Sequence, residues 1–319
     1  MSVESNTGRW DAETTKEIVL AHLNEQRRAR RWKIFFRLLA AAYVAAAGFM
    51  MMRGADNDEA KAAERHVAVV DVRGEIASGN SKTANADHII KGLQAAFDAK
   101  TAVAVALRIN SPGGSPVQSA QVYRAIKRLK AEHPDRPVYA FAEDIAASGA
   151  YYIAAAADKI YADPSSLVGS VGVIMGGFGF SGVMDKIGIE RRVYTAGKHK
   201  AFMDPFSQEN PDTIAHAQTL LADIHKDFIS AVRQGRGDRV KGSDAEVFNG
   251  LIWTGNQALE IGLIDGLGSV GEIAKEEFGV EKQVNYSHSP SAFERLADRV
   301  AASFAAEVNE SLLGSWQLR

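Results

Sequence analysis

The sequence predicts an α/β domain built on a largely parallel, helix-covered sheet and carried behind one amino-terminal membrane anchor. Between residues 67 and 142, β-branched or apolar runs of strand length alternate with amphipathic segments of helix length. An apolar run of membrane-spanning length follows a dense basic cluster near residue 30. The 319 residues leave room for one large or two modest domains, and no internal repeat is visible.

The elements follow in chain order. Val67 to Val72 reads as a β-branched strand, Ala86 to Ala99 as a helix, Ala102 to Ile109 as a buried strand, Ser115 to Glu132 as a helix and Pro137 to Ala142 as a third strand. Ser148 to Ala157 is a short helix of small residues, and Ile160-Tyr161 starts a brief strand. Pro211 to Arg233 is a long amphipathic helix with Leu220, Ile224, Phe228 and Val232 on one stripe. After a turn at Ser289-Pro290, Phe293, Leu296, Val300, Phe304, Val308 and Leu312 recur at helical spacing. That stripe needs a partner: its own domain, a neighbouring subunit or a membrane surface.

Ahead of the domain, Ile34 to Met52 supplies about twenty mostly apolar residues, enough to cross a bilayer, with Arg37 near the edge. Arg27, Arg28, Arg30, Arg31 and Lys33 stand just upstream and keep that side cytoplasmic by the positive-inside rule. An Ala-rich buried helix does not account for so lopsided a flank. A cleaved signal peptide is suggested by the small residues from Ala45 to Gly48, but the leading segment is long for one, and Val19, Leu20 and Leu23 give part of it an amphipathic pattern. The expectation is an uncleaved signal anchor. The resulting division is a cytoplasmic segment 1–33, a span 34–53, a charged tether 54–65, a catalytic-sized domain 66–280 and a carboxyl-terminal amphipathic segment 281–319.

Composition removes whole classes of function. With 24% charged and 46% hydrophobic residues the chain is neither disordered, collagenous nor polytopic. Its 37 Lys+Arg against 39 Asp+Glu leave a formal charge of −2, which gives no electrostatic ground for a nucleic-acid partner. The absence of cysteine excludes a disulfide framework, a thiolate nucleophile and a Cys-based zinc site. Gly177, Gly179 and Gly182 match G-x-G-x-x-G formally, but phenylalanines fill two variable positions and no clear βαβ unit surrounds them, so no cofactor is expected.

Two loops carry chemistry. Asn110-Ser111-Pro112-Gly113-Gly114-Ser115 follows a buried strand and opens a helix, at the sheet edge where open α/β folds bind ligands. Adjacent glycines turn the backbone sharply and leave N–H groups bare, as an oxyanion hole requires; a Pro-Gly turn without chemistry is the plain alternative. Ala146-Ala147-Ser148-Gly149-Ala150-Tyr151-Tyr152 repeats the strand-to-helix placement some thirty-five residues later. There a serine either projects its hydroxyl or merely caps the helix. One loop offers a nucleophile and the other a donor. A serine needs a base, and no histidine lies in a recognisable catalytic context. A lysine could serve instead: Lys200, followed by Ala201-Phe202-Met203, is better placed than Lys198 for the apolar surroundings that favour a neutral amine, but a solvated surface charge is the plain alternative for either, and sequence chemistry alone does not select the base.

Together these pieces resemble the signal peptide peptidase SppA family of membrane-anchored Ser-Lys peptidases, with the ClpP/crotonase-like fold of repeated ββα units. The resemblance covers roughly residues 66–280 and rests on the order of several motifs: Asn110 to Gly114, Ala147-Ser148-Gly149 with its tyrosine pair, Val168-Gly169-Ser170-Val171-Gly172-Val173, Gly197 to Pro205, and Trp253-Thr254-Gly255 leading to Gly262-Leu263-Ile264-Asp265. It implies Ser148 as nucleophile, Lys200 as general base, Ser170 as the hydroxyl that orients the lysine, and the N–H groups of Gly114 and Gly149 as the oxyanion hole. Two lysines stand two apart; the apolar pair Phe202-Met203 and Pro205 align Lys200 with the catalytic position, with Lys198 as the fallback. The resemblance further implies apolar substrates such as signal-peptide remnants, a place on the outer face of a bacterial inner membrane, and a dome-shaped homo-octamer whose dyad is shared between adjacent protomers. A crotonase-like acyl-CoA enzyme and an inactive membrane-tethered scaffold are the alternatives of the same fold.

Overall fold

The runs at His66, Ala102 and Val138 pair as parallel strands because each is apolar on both faces. In β1 (His66–Arg73), Ala68, Val70 and Val72 enter one buried cluster while Val67 and Val69 enter another, the period-2 alternation of a strand covered on both sides. The structure is a computed structural model. It describes residues 64–78 and 83–288 and, ahead of them, residues 20, 22, 28, 30–44 and 46. The chain divides into two units, Met1–Lys61 and Ala62–Arg319.

In the first unit residues 30–44 are helical (α1), and Trp32 stacks on Phe36 with ring centroids 5.7 Å apart. Among the described residues no helix is long and apolar enough to cross a membrane. The expected span 34–53 runs on into residues outside them.

The second unit alternates β1, α2 (Ala86–Asp98), β2 (Ala102–Ser111), α3 (Pro116–Glu132), β3 (Val138–Ala147), α4 (Gly149–Ala154) and β4 (Lys159–Ala162). There follow β5 (Leu167–Gly169), α5 (Ser181–Ile187), α6 (Pro211–Arg236), α7 (Asp244–Val247), β6 (Ile252–Thr254), α8 (Gly255–Glu260), β7 (Gly266–Leu267), α9 (Val270–Phe278) and β8 (Gln283–Asn285). The strands lie in the order β6-β5-β3-β2-β1-β8, with β4 beside β3 and β7 beside β4. Every pair is parallel except β5–β6, so the sheet is largely parallel, as the sequence pattern predicts, and is mixed only through the antiparallel edge strand β6. Strands β5 to β8 are only two or three residues long, too short for periodicity to reveal. β8 lies inside the segment assigned to the carboxyl-terminal helix, pairing with β1; residues 293–312, where that helix is expected, lie outside the described residues.

β3 changes partner midway. Ile109 pairs with Ala142 and Ser111 with Ala146, so three residues of β3 face one of β2. This bulge turns the strand from β4 onto β5. The Ser166 hydroxyl, buried beneath it, donates to the carbonyls of Ala142 and Glu143.

Helices α2, α3, α4 and α6 pack on one face over the main core. On the other face Val270, Ile273 and Ala274 of α9 cover Val67, Val69, Ala106, Tyr139, Phe141 and Tyr161. Glu277 locks α9 there: its carboxylate accepts from Lys159 Nζ at 2.7 Å, Tyr139 Oη at 2.5 Å and Tyr161 Oη at 2.6 Å. Burial pushes this carboxyl up, but the bonds from Lys159, Tyr139 and Tyr161 outweigh it and hold it down at about 2.

A depressed carboxyl stabilises the fold fully above the ordinary carboxylate range, and the contribution is lost as pH falls from about 4.5 towards about 2. Glu277→Gln is therefore expected to lower the thermal midpoint at neutral pH by about 2–6 °C. It should have a much smaller effect near pH 2, as thermal unfolding at both pH values would show.

Candidate active site

Parallel pairing brings the carboxyl ends of β2, β3 and β5 to one edge, and the loops that leave them carry most of the residues singled out above. After β2, Gly113 and Gly114 adopt φ of +97° and +145°, accessible to glycine at little cost. The Gly113 carbonyl accepts from Ile76 N–H at 2.8 Å, and Ser115 N–H donates to the Ile76 carbonyl at 2.8 Å. These bonds clamp the loop on both sides of Gly114 and leave the Gly114 N–H without an acceptor among the described residues. A Cβ on Gly114 would lie 2.3 Å from the Ile76 carbonyl oxygen; one on Gly113 would lie 2.7 Å from Gly149 N and 2.8 Å from Ser148 Cβ. The two loops thus touch through backbone.

After β3, Ser148 occupies φ 53°, ψ −124° and makes no side-chain cap to α4. A serine that caps a helix has an extended backbone and a hydroxyl spent on the first turn; Ser148 has neither. Such a conformation costs about 1–3 kcal/mol and persists only when the surroundings enforce it. They do so here: Ser148 N–H donates to the Gly169 carbonyl at 2.8 Å, and the Ser148 carbonyl accepts from Tyr152 N–H at 3.0 Å. Gly149 opens α4, so its N–H has no acceptor within the helix. A Cβ there would stand 2.4 Å from Ser119 Oγ and 3.3 Å from Gly114 N, which places the Gly149 backbone beside the second donor.

After β5, the register Ala147↔Gly169 sets Ser170 next to Ser148. Ser170 is also left-handed, at φ 52°, and its N–H donates to the Leu251 carbonyl at 2.8 Å. His225 of α6 braces the same segment, its Nε2 3.1 Å from the Val171 carbonyl oxygen. Sequence reasoning placed His225 only on a helix, and nothing local marks a ring bonded across 54 residues.

The serine opens into a cleft of about 110 Å³ whose other walls include Pro116, Tyr152, Val173, Ile224 and Phe228. A larger cavity, about 1280 Å³, lies beside Arg108, Glu143 and the start of α9 and is lined by none of Gly114, Ser148, Gly149 and Ser170; chemistry, not volume, identifies the site.

Lys200 is exposed, does not line this cleft, and has no hydrogen bond or ion pair through its side chain to any described residue. Lys198, also exposed, is paired with Asp212 at 3.1 Å. Their loop borders a separate cavity of about 550 Å³ with Met175 to Gly179 and the start of α6. Gly114, Ser148 and Gly149 therefore line one cleft of one chain and the β3–β5 register sets Ser170 next to Ser148, whereas Lys200 does not line that cleft. Among the described residues no group of His, Asp and Glu is arranged to hold a metal ion. Gly177, Gly179 and Gly182 lie in open space.

Behind the site, the buried Arg236 guanidinium bonds Asp265 at 2.5 and 3.1 Å and the Gly262 carbonyl at 3.1 and 3.0 Å. Asp265 also accepts from Ile160 N–H at 2.7 Å; burial raises its pKa, but Arg236 and these further donors hold it below the ordinary range. Tyr151 of α4 donates to the Leu263 carbonyl at 2.6 Å. The Gly-Leu-Ile-Asp motif is thus the turn that seats α4 directly behind Ser148.

A strained, uncapped serine beside two unpaired N–H groups, at the edge of a mixed α/β sheet, is an arrangement suited to acyl transfer through a serine nucleophile. The sequence matches the model of the Clp protease family over residues 59–168 and that of peptidase family S49 over residues 130–285. A putative protease of Synechocystis sp. is 34% identical over 208 residues, 64% of this chain and 70% of that protein. A putative signal peptide peptidase SppA of Enterococcus faecium is 32% identical over 63% of this chain and 57% of its own length. A Brucella melitensis protein named Na(+)/H(+) antiporter NhaA is 45% identical over 222 residues, 69% of this chain but 30% of that protein. The chain belongs to peptidase family S49, the serine protease family of the SppA and protease 4 proteins, and has its ClpP-like fold.

Gly114→Ala should cost at least the about 1–3 kcal/mol of a forbidden backbone conformation. Gly176→Ala, in open space, should leave the denaturation midpoint unchanged. Chemical denaturation of the two variants compares them directly.

Proposed function

We propose that this chain is a membrane-anchored serine endopeptidase that degrades signal peptides left in the membrane after precursor cleavage, with Ser148 as nucleophile and Lys200 as general base. The observation that carries it is Ser148 itself: a serine held at positive φ, its hydroxyl spared from capping, beside the free N–H groups of Gly114 and Gly149. Lys200 takes the Ser148 hydroxyl proton as Oγ attacks the scissile carbonyl. The Gly114 and Gly149 N–H groups hold the oxyanion, and the proton passes from Lys200 to the departing amine. Water then attacks the acyl-enzyme, with Lys200 again taking and returning a proton. Ser170, beside Ser148, accepts from or donates to the lysine amine and aims it. No step calls for a cofactor.

The base comes from an adjacent protomer of a homo-octamer. Three observations support this: Lys200 is exposed and unpaired within its own chain; Lys198 is occupied by Asp212; and Ile174, Phe178 and Tyr194, on the segment between the cleft and Lys200, are 92%, 81% and 90% exposed. Assembly would cover these apolar side chains and strip water from the lysine, which favours its neutral form. The apolar cleft suits apolar peptides. The amino terminus would be cytoplasmic and the catalytic domain on the far side of the bacterial inner membrane, a reading supported by Trp32, Phe35 and Phe36 standing among Arg30, Arg31, Lys33 and Arg37 on α1, the composition of a cytoplasmic membrane boundary. The chain spans 30% and 57% of the Brucella and Enterococcus relatives.

Ser148→Ala and Lys200→Ala should each abolish hydrolysis of an apolar peptide. Co-assembled in equal amounts, the two inactive variants should recover up to about a quarter of wild-type turnover, because one interface in four then joins an intact serine to an intact lysine. Activity retained by either variant alone would overturn the dyad; no recovery on mixing would overturn its sharing. A lysine base acts only as the free amine, so turnover should rise towards alkaline pH, and a flat pH–rate profile would exclude it.

A further inference from the structure

We infer that Tyr152 is the size filter of the serine cleft: its ring closes the cleft to aromatic side chains and keeps a second cavity behind it out of use. The inference rests on the peptidase reading and names the substrates that site accepts, peptides with an aliphatic side chain on the residue whose carbonyl Ser148 attacks.

The cleft holds about 110 Å³ and is walled by apolar groups. A cavity of about 150 Å³ lined by aliphatic and aromatic side chains is what one benzene ring occupies. The serine cleft is smaller than that, so a valine or leucine side chain matches it better than a phenylalanine or tyrosine ring. Next to it, between α3 and α6, lies a cavity of about 450 Å³. The two share three wall residues, Pro116, Tyr152 and Ile224.

Tyr152 is the aromatic ring of that partition. On one side it stacks on Phe228, which lines the cleft, with centroids 4.9 Å apart and planes at 25°. On the other it meets Tyr123, which lines the second cavity, edge-on at 5.4 Å and 89°. These contacts brace the ring from both sides and oppose its swinging away to admit a larger group. The second cavity differs in chemistry as well as size: Arg124, Asp227 and Gln234 border it. The ring therefore separates a small apolar pocket from a wider, charged one. Ala120 lines only the second cavity and marks where it can be refilled.

The test uses the full chain in detergent and internally quenched peptides that differ only at the residue before the cleaved bond: Ala, Val, Leu, Phe or Tyr. Labelling of Ser148 by a fluorophosphonate is followed in parallel. Wild-type kcat/KM is expected to favour Leu over Phe by at least about tenfold, the scale on which an apolar pocket discriminates by size. Tyr152→Ala should raise the Phe/Leu ratio by about tenfold or more, and adding Ala120→Leu to it should bring the ratio back down. Tyr152→Leu carries the same readout with a less drastic change should the alanine variant fail to fold. Tyr152→Phe, which keeps the ring, should keep the wild-type ratio. A wild-type preference for Phe over Leu, or a ratio unmoved in Tyr152 variants that still label at Ser148, overturns the filter and leaves the peptidase reading standing. A wild-type chain that neither labels nor hydrolyses any peptide fails the peptidase reading, and the filter falls with it.

Discussion

The architecture of the site depends on one close approach: the backbone of Gly113-Gly114 laid against that of Ser148-Gly149, with Ile76 clamped on the far side. At 2.7 Å from Gly149 N and 2.3 Å from the Ile76 carbonyl oxygen there is no room for a Cβ on either glycine of the first loop. This contact places two N–H donors beside one serine hydroxyl. Ser148 itself is held out of the ordinary capping conformation by its backbone bonds to Gly169 and Tyr152, so the hydroxyl stays available. Strain at a nucleophile persists only against a rigid frame, and the frame is the parallel pairing of β2, β3 and β5.

Behind this contact the fold invests in buried polar bonds. Removing Arg236 from water is costly, and the cost is offset only because Asp265 and the Gly262 carbonyl satisfy its guanidinium in a fixed fork. The result is positional: the turn at Gly262 to Asp265 receives the Tyr151 hydroxyl and, through it, α4. On the opposite face Glu277 plays a similar part for α9, three donors converging on one carboxylate. The β3 bulge links the two halves of the sheet, turning the strand so that Ser148 and Ser170 end side by side.

Much of the site was legible because its demands are local. A glycine pair after a buried strand, or a serine between a strand and a helix, leaves its mark at the position where it is needed, so the loops of Gly114, Ser148 and Gly149 stood out as candidates, though a plain turn and a helix cap would leave the same mark. Ser170 had no such mark and entered through a resemblance, and Lys200 had only an apolar neighbourhood to favour it; of the two, the β3–β5 register sets Ser170 next to Ser148. The short strands β5 to β8 escaped for a different reason, since two or three residues contain no period, and β6 runs against the direction of its neighbour. Ile224 and Phe228 were visible as an apolar stripe on a helix, but a stripe does not say whether it faces a core or a cleft.

By itself the sequence determined the order of strands and helices from β1 to β4 and the long helix α6, the glycine pair after β2 and the serine after β3, because propensity, periodicity and steric demand act within a few residues. Tertiary structure alone decided which of these meet. The register of β3 on β5 put residue 170 beside residue 148, a ring from α4 came between two cavities, and Arg236 met Asp265 across 29 positions. Lys200 was left exposed, outside the lining of the cleft that holds the serine. Such pairings are non-local: they follow from how sheet and helices pack, and no short stretch of sequence contains that information.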